Sequence, residues 1–250
     1  MKKVLVLVVA VACSLGCIAQ SKHGVTSSGD LFVDFGIKGL GGSSVFINTN
    51  LFEDSDYNHG ITGSYGFGGK FAFDFGEQVA LVVEGLYGVV GQKFNIKDSI
   101  NGDWSKSIKL KTIDIPIMIR KNNPETGGYV EIGPQISLLR SVSETTSGSI
   151  ADYNKKYWSM VLGFGGYLWG TDNFGISSGL RFVYTFQDVV GSNEIAGFDG
   201  NSYMNNAIGY ESYQKTTPLS VFFVLEANYD LGFMVAKNEC TGRRKFMFYN

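Results

Sequence analysis

A period-two alternation of large apolar residues with small or polar ones recurs along most of this 250-residue chain. Alternate side chains of a β-strand point to opposite faces, so such alternation predicts strands whose two faces differ. In the segment 113–120, four isoleucines alternate with an aspartate, a proline, a methionine and an arginine. Eight segments follow the pattern: 31–38, 65–75, 81–89, 113–120, 129–138, 158–168, 176–186 and 219–231.

The composition of the two faces distinguishes between the classes of β-protein. One face carries large aliphatic and aromatic side chains, and the other carries glycines and charges of both signs. A soluble sandwich would bury the apolar face. Small and charged residues suit the interior of a narrow barrel, and a large apolar row suits a lipid-facing belt. We therefore predict an all-β fold, an eight-stranded antiparallel up-and-down transmembrane β-barrel.

The connections between the predicted strands alternate in length. Outer-membrane barrels have short periplasmic turns and long external loops, so this alternation favours the same fold and an outer-membrane location. The predicted long loops are 41–63, 93–107, 141–156 and 188–217, and the short turns are 76–78, 122–125 and 171–173. Aromatic residues near strand ends are expected at the membrane interface, namely Tyr129, Tyr157, Trp158, Tyr184, Phe186 and Tyr229.

The first residues have the pattern of a secretory signal peptide. Lys2 and Lys3 precede an apolar run at 4–12 and a small-residue end, which predicts cleavage after Ala19 with Gln20 as the new N-terminus. Lipidation of Cys17 is the alternative. The predicted organisation is a signal peptide at 1–19, a short linker at 20–29, the barrel at 30–233 and a tail at 234–250, which either hangs free or adds a strand.

Three short motifs resemble those of the PorT-like outer-membrane β-barrel domain, which is abundant in Bacteroidetes. They are Ile113-Asp114-Ile115-Pro116, Tyr129-Val130-Glu131-Ile132-Gly133-Pro134 and Glu84-Gly85-Leu86-Tyr87. The resemblance covers about residues 30–232 and implies an outer-membrane barrel. Most members of the family have no known activity, and one branch supports a gliding-type secretion system. The resemblance thus makes a surface or secretion-system protein a candidate partner.

Charged residues at inward positions are the candidate site. They are Asp34, Lys38, Lys70, Asp74, Glu84, Asp114, Arg120, Glu131, Arg181, Glu226 and Asp230. One interpretation is a structural network of ion pairs that fills the narrow lumen. The other is a gated pore of low conductance in which the pairs rearrange. Pro116, in mid-strand, lacks a ladder donor and predicts a bulge or local water.

No catalytic, metal-binding or cofactor-binding residue is predicted. Asp54, Asp56 and Asn58 in the first long loop suggest a calcium-binding loop, but His59 and Tyr65 stand where an EF-hand loop requires glycine and glutamate. His59 with Asp54 or Asp56 is the loop grouping that a lipid A-modifying enzyme could use. The net charge of −2 offers no basic excess for nucleic acid. We expect a non-enzymatic structural or adhesive role through the external loops, with a small channel or transporter and a lipid A-modifying enzyme as alternatives. The expected partners are outer-membrane lipid, lipopolysaccharide and the barrel-assembly machinery.

Overall fold

The computed structural model describes residues 31–53, 55, 57–75, 78–96, 104–144, 153–170, 174–190, 214–237 and 244–245. The predicted signal peptide, its cleavage site at Ala19 and Gln20, and the linker lie outside these residues. The elements are β1 (Leu31–Ile47), α1 (Thr49–Glu53), β2 (Tyr57–Gly60), β3 (Thr62–Phe75), β4 (Val79–Ile96), β5 (Trp104–Asn123), β6 (Gly128–Glu144), β7 (Lys156–Gly170), β8 (Phe174–Thr185), β9 (Thr217–Lys237) and β10 (Arg244–Lys245).

Strands β1 and β3–β9 form a closed antiparallel barrel. Each pairs with its neighbour in chain order, and β1 pairs with β9 from Ile47↔Thr217 to Leu31↔Val235, which closes the sheet. Closure leaves no unpaired edge. The predicted eight-stranded up-and-down barrel is confirmed. Strand β2 pairs with β4, and the two residues of β10 pair with the end of β9, so part of the predicted tail forms an extra short strand.

The strands extend further towards the long-loop end than the sequence predicts. Strand β1 continues to Ile47, although 41–63 was predicted as a loop, and that loop also contains α1 and β2. In the same way, β4 continues to Ile96 and β6 to Glu144. The apolar-out, polar-in alternation fades there because outward positions become small or polar and inward positions become apolar, as at Ser43 and Phe46. The ladder of backbone hydrogen bonds continues.

The predicted bulge at Pro116 is wrong. Pro116 pairs with Gln135, and the pairs Val83↔Ile117 and Leu86↔Asp114 keep one register on the other side. The missing amide hydrogen is therefore accommodated without an extra residue. The register shift of this strand lies instead between Lys111 and Thr112, where the partner strand has an additional residue, Arg140.

Large apolar side chains cover the outside of the barrel. Ile119, for example, is 59% exposed, whereas its neighbour Met118 is fully buried inside. The exposed apolar set includes Phe35, Ile37, Phe67, Phe71, Ile117, Ile119, Val130, Ile132, Met160, Leu162, Phe164, Phe223 and Leu225. We call this surface the apolar belt. Tyr129 and Tyr157, predicted at the membrane interface, are instead buried in the lumen, because both occupy inward positions of their strands.

The height of the apolar belt follows from β5. Its outward residues between Lys111 and Lys121 are all isoleucine. Ten residues of strand span about 33 Å, and a tilt of about 40° reduces this to about 25 Å along the barrel axis, the height of the apolar band of outer-membrane barrels. Among the described residues, no helix is long and apolar enough to cross a membrane.

Candidate functional site

Seven charged side chains meet in the lumen. Lys70↔Glu84, Arg120↔Glu131 and Lys38↔Glu226 are cross-strand pairs, so the strand register itself brings opposite charges to the same height. Every member is 3% exposed or less. We call this set the ionic layer: Lys38, Lys70, Glu84, Arg120, Glu131, Arg181 and Glu226.

Two arginines form the centre of the ionic layer. Arg181 binds Glu84 through two parallel contacts, Nη1 to Oε2 at 2.7 Å and Nη2 to Oε1 at 2.9 Å. Arg120 binds Glu226 in the same manner, Nη1 to Oε1 at 2.9 Å and Nη2 to Oε2 at 3.0 Å. Both guanidinium groups also contact Glu131. Paired contacts of this kind are the strongest charge-assisted hydrogen bonds, and here Glu131 joins the two arginines into one network.

Two lysines complete the ionic layer. Lys38 donates to Glu84 and lies 2.8 Å from Glu226 Oε2, and Lys70 donates to Glu226 Oε1 at 2.5 Å. Glu226 therefore contacts three cations. The four cations and three carboxylates leave this layer with one excess positive charge.

Strand β7 contributes a glycine at the same height. Gly163 pairs with both Glu131 and Arg181. A Cβ atom at Gly163 would lie 2.7 Å from Glu131 Oε1. The absent side chain leaves the space that the Glu131 carboxylate occupies. Tyr129 lies between Glu131 and the short turn that joins β5 and β6. The centroid of its ring is 4.2 Å from the Arg120 guanidinium carbon, which is a cation–π contact.

The remaining predicted charges lie apart from these seven. Asp34 is buried and Asp74 is partly buried, both nearer the short turns. Asp114 lies above the ionic layer, and its Oδ1 is buried without a hydrogen-bond partner among the described residues. It lines a lumenal cleft with a cavity volume of about 40 Å³. The side chain of Asp230 lies outside the described part of the structure.

An apolar cluster closes the lumen at the long-loop end. We call it the apolar cap, and it consists of Phe46, Leu51, Phe94, Ile108, Leu110, Leu139, Tyr153, Tyr157, Val189 and Val190. Leu51 comes from α1, and Val189 and Val190 follow β8. Sequence reasoning missed this cluster. The available signal was a set of isolated large apolar residues, such as Phe46, within segments predicted as polar loops.

Buried amide side chains fix the segments around the apolar cap. Gln92 accepts a hydrogen bond from the backbone N–H of Phe46 at 3.0 Å and donates to the carbonyl of Gly60 at 3.2 Å. Asn48 donates to the Thr216 hydroxyl at 2.9 Å. Asn154 donates to the carbonyl of Val190 at 3.1 Å. The described parts of three long connections are thus tied to one another.

His59 packs between the ring of Phe52 and the ring of Phe94, which belongs to the apolar cap. Its ring stacks on Phe52 with centroids 4.1 Å apart, and Phe94 meets its edge at 5.3 Å. Asp54 and Asp56, which the sequence placed beside it, lie outside the described residues. Within the part of the chain that is described, no group of histidine, cysteine, aspartate and glutamate side chains is arranged to hold a metal ion. The aromatic contacts of His59 indicate that its ring packs against its neighbours to hold this segment in place.

Acidification is expected to loosen this stack. Burial lowers the pKa of His59 below its ordinary 6.5, so the folded loop favours the neutral ring. The neutral His59 ring contributes its full stabilisation of the folded loop above pH 6.5, and this contribution is lost as the pH falls towards the lowered pKa of His59. We expect limited proteolysis within 48–61 to be faster at about pH 5.5 than at about pH 7.5. His59→Phe should abolish the difference, and an unchanged pH dependence in that variant would contradict this explanation.

The chain matches no protein-family model, and no curated protein is significantly similar to it. Three solved structures are similar in outline. The outer membrane protein OprG from Pseudomonas aeruginosa is 10% identical, with 81% of this chain and 96% of that chain covered and a TM-score of 0.44. Neisserial surface protein A is 11% identical, with 78% of this chain and 96% of that chain covered and a TM-score of 0.42. The outer membrane protein AlkL, solved in lipid bilayers, is 17% identical, with 88% of this chain and 98% of that chain covered and a TM-score of 0.41. The fold is established by this chain's own strand pairing.

Proposed function

We propose that this protein is an outer-membrane β-barrel with a sealed lumen, and that its role is structural or adhesive, through its external loops. The apolar belt supports the membrane location, because side chains as large as Phe67 and Phe71 are half-exposed on the outside of the barrel. The ionic layer is the observation that favours a non-conducting role. It occupies the lumen within the height of the belt.

Two barriers in series argue against a permeation pathway. A solute would have to part both the apolar cap and the ionic layer. Separating buried ion pairs leaves uncompensated charges, which costs about 3–5 kcal/mol for each broken pair. The network joins all seven members, so parting one pair disturbs the others. A lumen of this kind favours mechanical stability over transport.

The strand extensions support a role outside the membrane. On β5, residues 104–110 continue above Lys111, which corresponds to about 20 Å of additional strand. Strand β1 extends similarly to Ile47. These extensions raise the long connections above the bilayer surface, where surface polymers and other proteins are within reach.

Planar-bilayer recordings test the sealed lumen. We expect the full chain to give no steady conductance and at most small, rare openings. Because the two barriers are in series, Arg181→Ala and Phe46→Ala should each remain non-conducting, whereas the double variant should show more frequent openings. A large steady conductance of the unmodified protein would contradict the proposal and would favour the channel.

A further inference from the structure

Exposed basic side chains are concentrated on one side of the barrel, just above the apolar belt. Lys109 and Lys111 lie on β5, Arg140 on β6 and Lys156 on β7, and all four occupy outward positions. Lys109, Arg140 and Lys156 are exposed and Lys111 is partly exposed. We call these four residues the basic patch.

The strand register brings the basic patch together. Lys111 pairs with Ser141, and the bulge beside it leaves Arg140 as an extra, exposed residue next to Lys111. A bulge re-aims a side chain in this way. Lys156 pairs with Leu138, two residues from Arg140. Since neighbouring strands are about 4.8 Å apart, the backbone positions of these three cations span about 10 Å across the sheet.

The basic patch has no counter-charge among the described residues. None of its members forms an ion pair with another described side chain. The outward described side chains of β5, β6 and β7 at this height include no carboxylate. Four adjacent cations repel one another, so an anion that neutralises them would be favoured.

The height of the patch identifies the kind of anion. Lys111 marks the upper boundary of the belt, directly above Ile113, and Trp158 lies beside Lys156 with its ring 5.6 Å from Nζ. Tryptophan and lysine at this level are typical of the headgroup region. An anion bound here therefore has hydrocarbon surface immediately below it.

We propose that the basic patch binds the phosphate groups of lipid A in the outer leaflet, with the acyl chains lying on the belt beneath. The assignment rests on the proposed outer-membrane function, which places the long-loop end outside. Guanidinium and ammonium groups donate several hydrogen bonds to phosphate. Ile113, Ile115 and Met160 lie below the patch on β5 and β7 and provide an apolar surface for the chains. A free phosphate ion lacks this second contact.

Titration of lipid A tests the proposal. The full chain, folded in detergent, is titrated with bisphosphorylated lipid A, and Lys109→Gln, Lys111→Gln and Arg140→Gln are introduced together. Lys121→Gln is the matched control, because Lys121 is exposed at the opposite boundary of the belt. Loss of three surface cations should weaken binding at least about tenfold, and the control should bind as the unmodified protein does.

Dephosphorylated lipid A distinguishes the phosphate contact with the basic patch from the acyl-chain contact with the apolar belt. It should bind the unmodified protein about as weakly as bisphosphorylated lipid A binds the triple variant. Equal affinity of the triple variant and the unmodified protein would overturn the proposal, and so would equal affinity for the dephosphorylated lipid. Displacement by inorganic phosphate as effective as by lipid A would also overturn it. A slower-migrating band after boiling shows a folded barrel, so failure of the outer-membrane proposal is detected separately.

Discussion

Glu226→Gln is expected to destabilise the barrel by about 3–5 kcal/mol. Glu226 contacts Lys38, Lys70 and Arg120 and is fully buried. The substitution keeps the shape of the side chain and removes its charge, so the ionic layer changes from one to two excess positive charges. The substitution leaves Lys38, Lys70 and Arg120 buried with one carboxylate fewer to neutralise them. The loss of unfolding free energy is measured by urea titration in detergent micelles. The folded fraction at each urea concentration is read from the difference in gel mobility between unboiled and boiled samples.

Two further variants assign the loss to charge. Glu125 is exposed in the turn between β5 and β6, and Glu125→Gln should change the free energy of unfolding by less than about 0.5 kcal/mol. Lys70→Met combined with Glu226→Gln removes a cation whose described ion pair is with Glu226. The double variant should be less destabilised than the sum of the single variants. Unchanged stability of Glu226→Gln would refute the role of the ionic layer.

Gly68→Ala is expected to have a comparable or larger effect. A Cβ atom at Gly68 would lie 2.0 Å from the carbonyl oxygen of Gly85 and 2.8 Å from the Cα of Leu86. Both are backbone atoms of β4, so a side-chain rotation cannot relieve the clash. Displacing a paired strand should cost at least about 3 kcal/mol. We expect most of this variant to remain in the unfolded, slowly migrating form on unboiled gels.

Gly39→Ala is the matched control for this substitution. Gly39 lies on β1 in an outward position, and a Cβ atom there would meet nothing within 4 Å. The control should fold and migrate like the unmodified chain. If the two variants behave alike, the close approach of β3 and β4 at Gly68 is not what limits folding.

The sequence predicted which side chains face the lumen because strand parity assigns every second residue to one face. Lys38 and Glu226 were identified in this way. Parity does not give the partners, however. Lys70 pairs with Glu84 across the strands but donates its hydrogen bond to Glu226 from another strand. That contact depends on closure and register, which no local pattern encodes.

The strand ends and the apolar cap were not predicted, for a common physical reason. Above the belt, the outside of the barrel meets water, so outward positions become polar or small, as at Gly41 and Ser43. The inside holds the apolar cap, so Phe46 points inward. The alternation that indicates a lipid-facing strand is therefore weakened or inverted, although the backbone pairing continues. Membership of the PorT-like family, cleavage after Ala19 and assembly by the barrel machinery stay predictions.

The direct test of this account is the environment of the outward isoleucine row. The three cysteines of the chain are replaced by serine, a nitroxide label is placed at Ile119→Cys in lipid vesicles, and its collisions with oxygen and with a water-soluble nickel chelate are compared. The account predicts frequent collisions with oxygen and few with nickel at Ile119, and the reverse for a label at Lys109→Cys above the belt. Frequent collisions with nickel at Ile119, in a chain that is monodisperse in buffer without detergent, would contradict it.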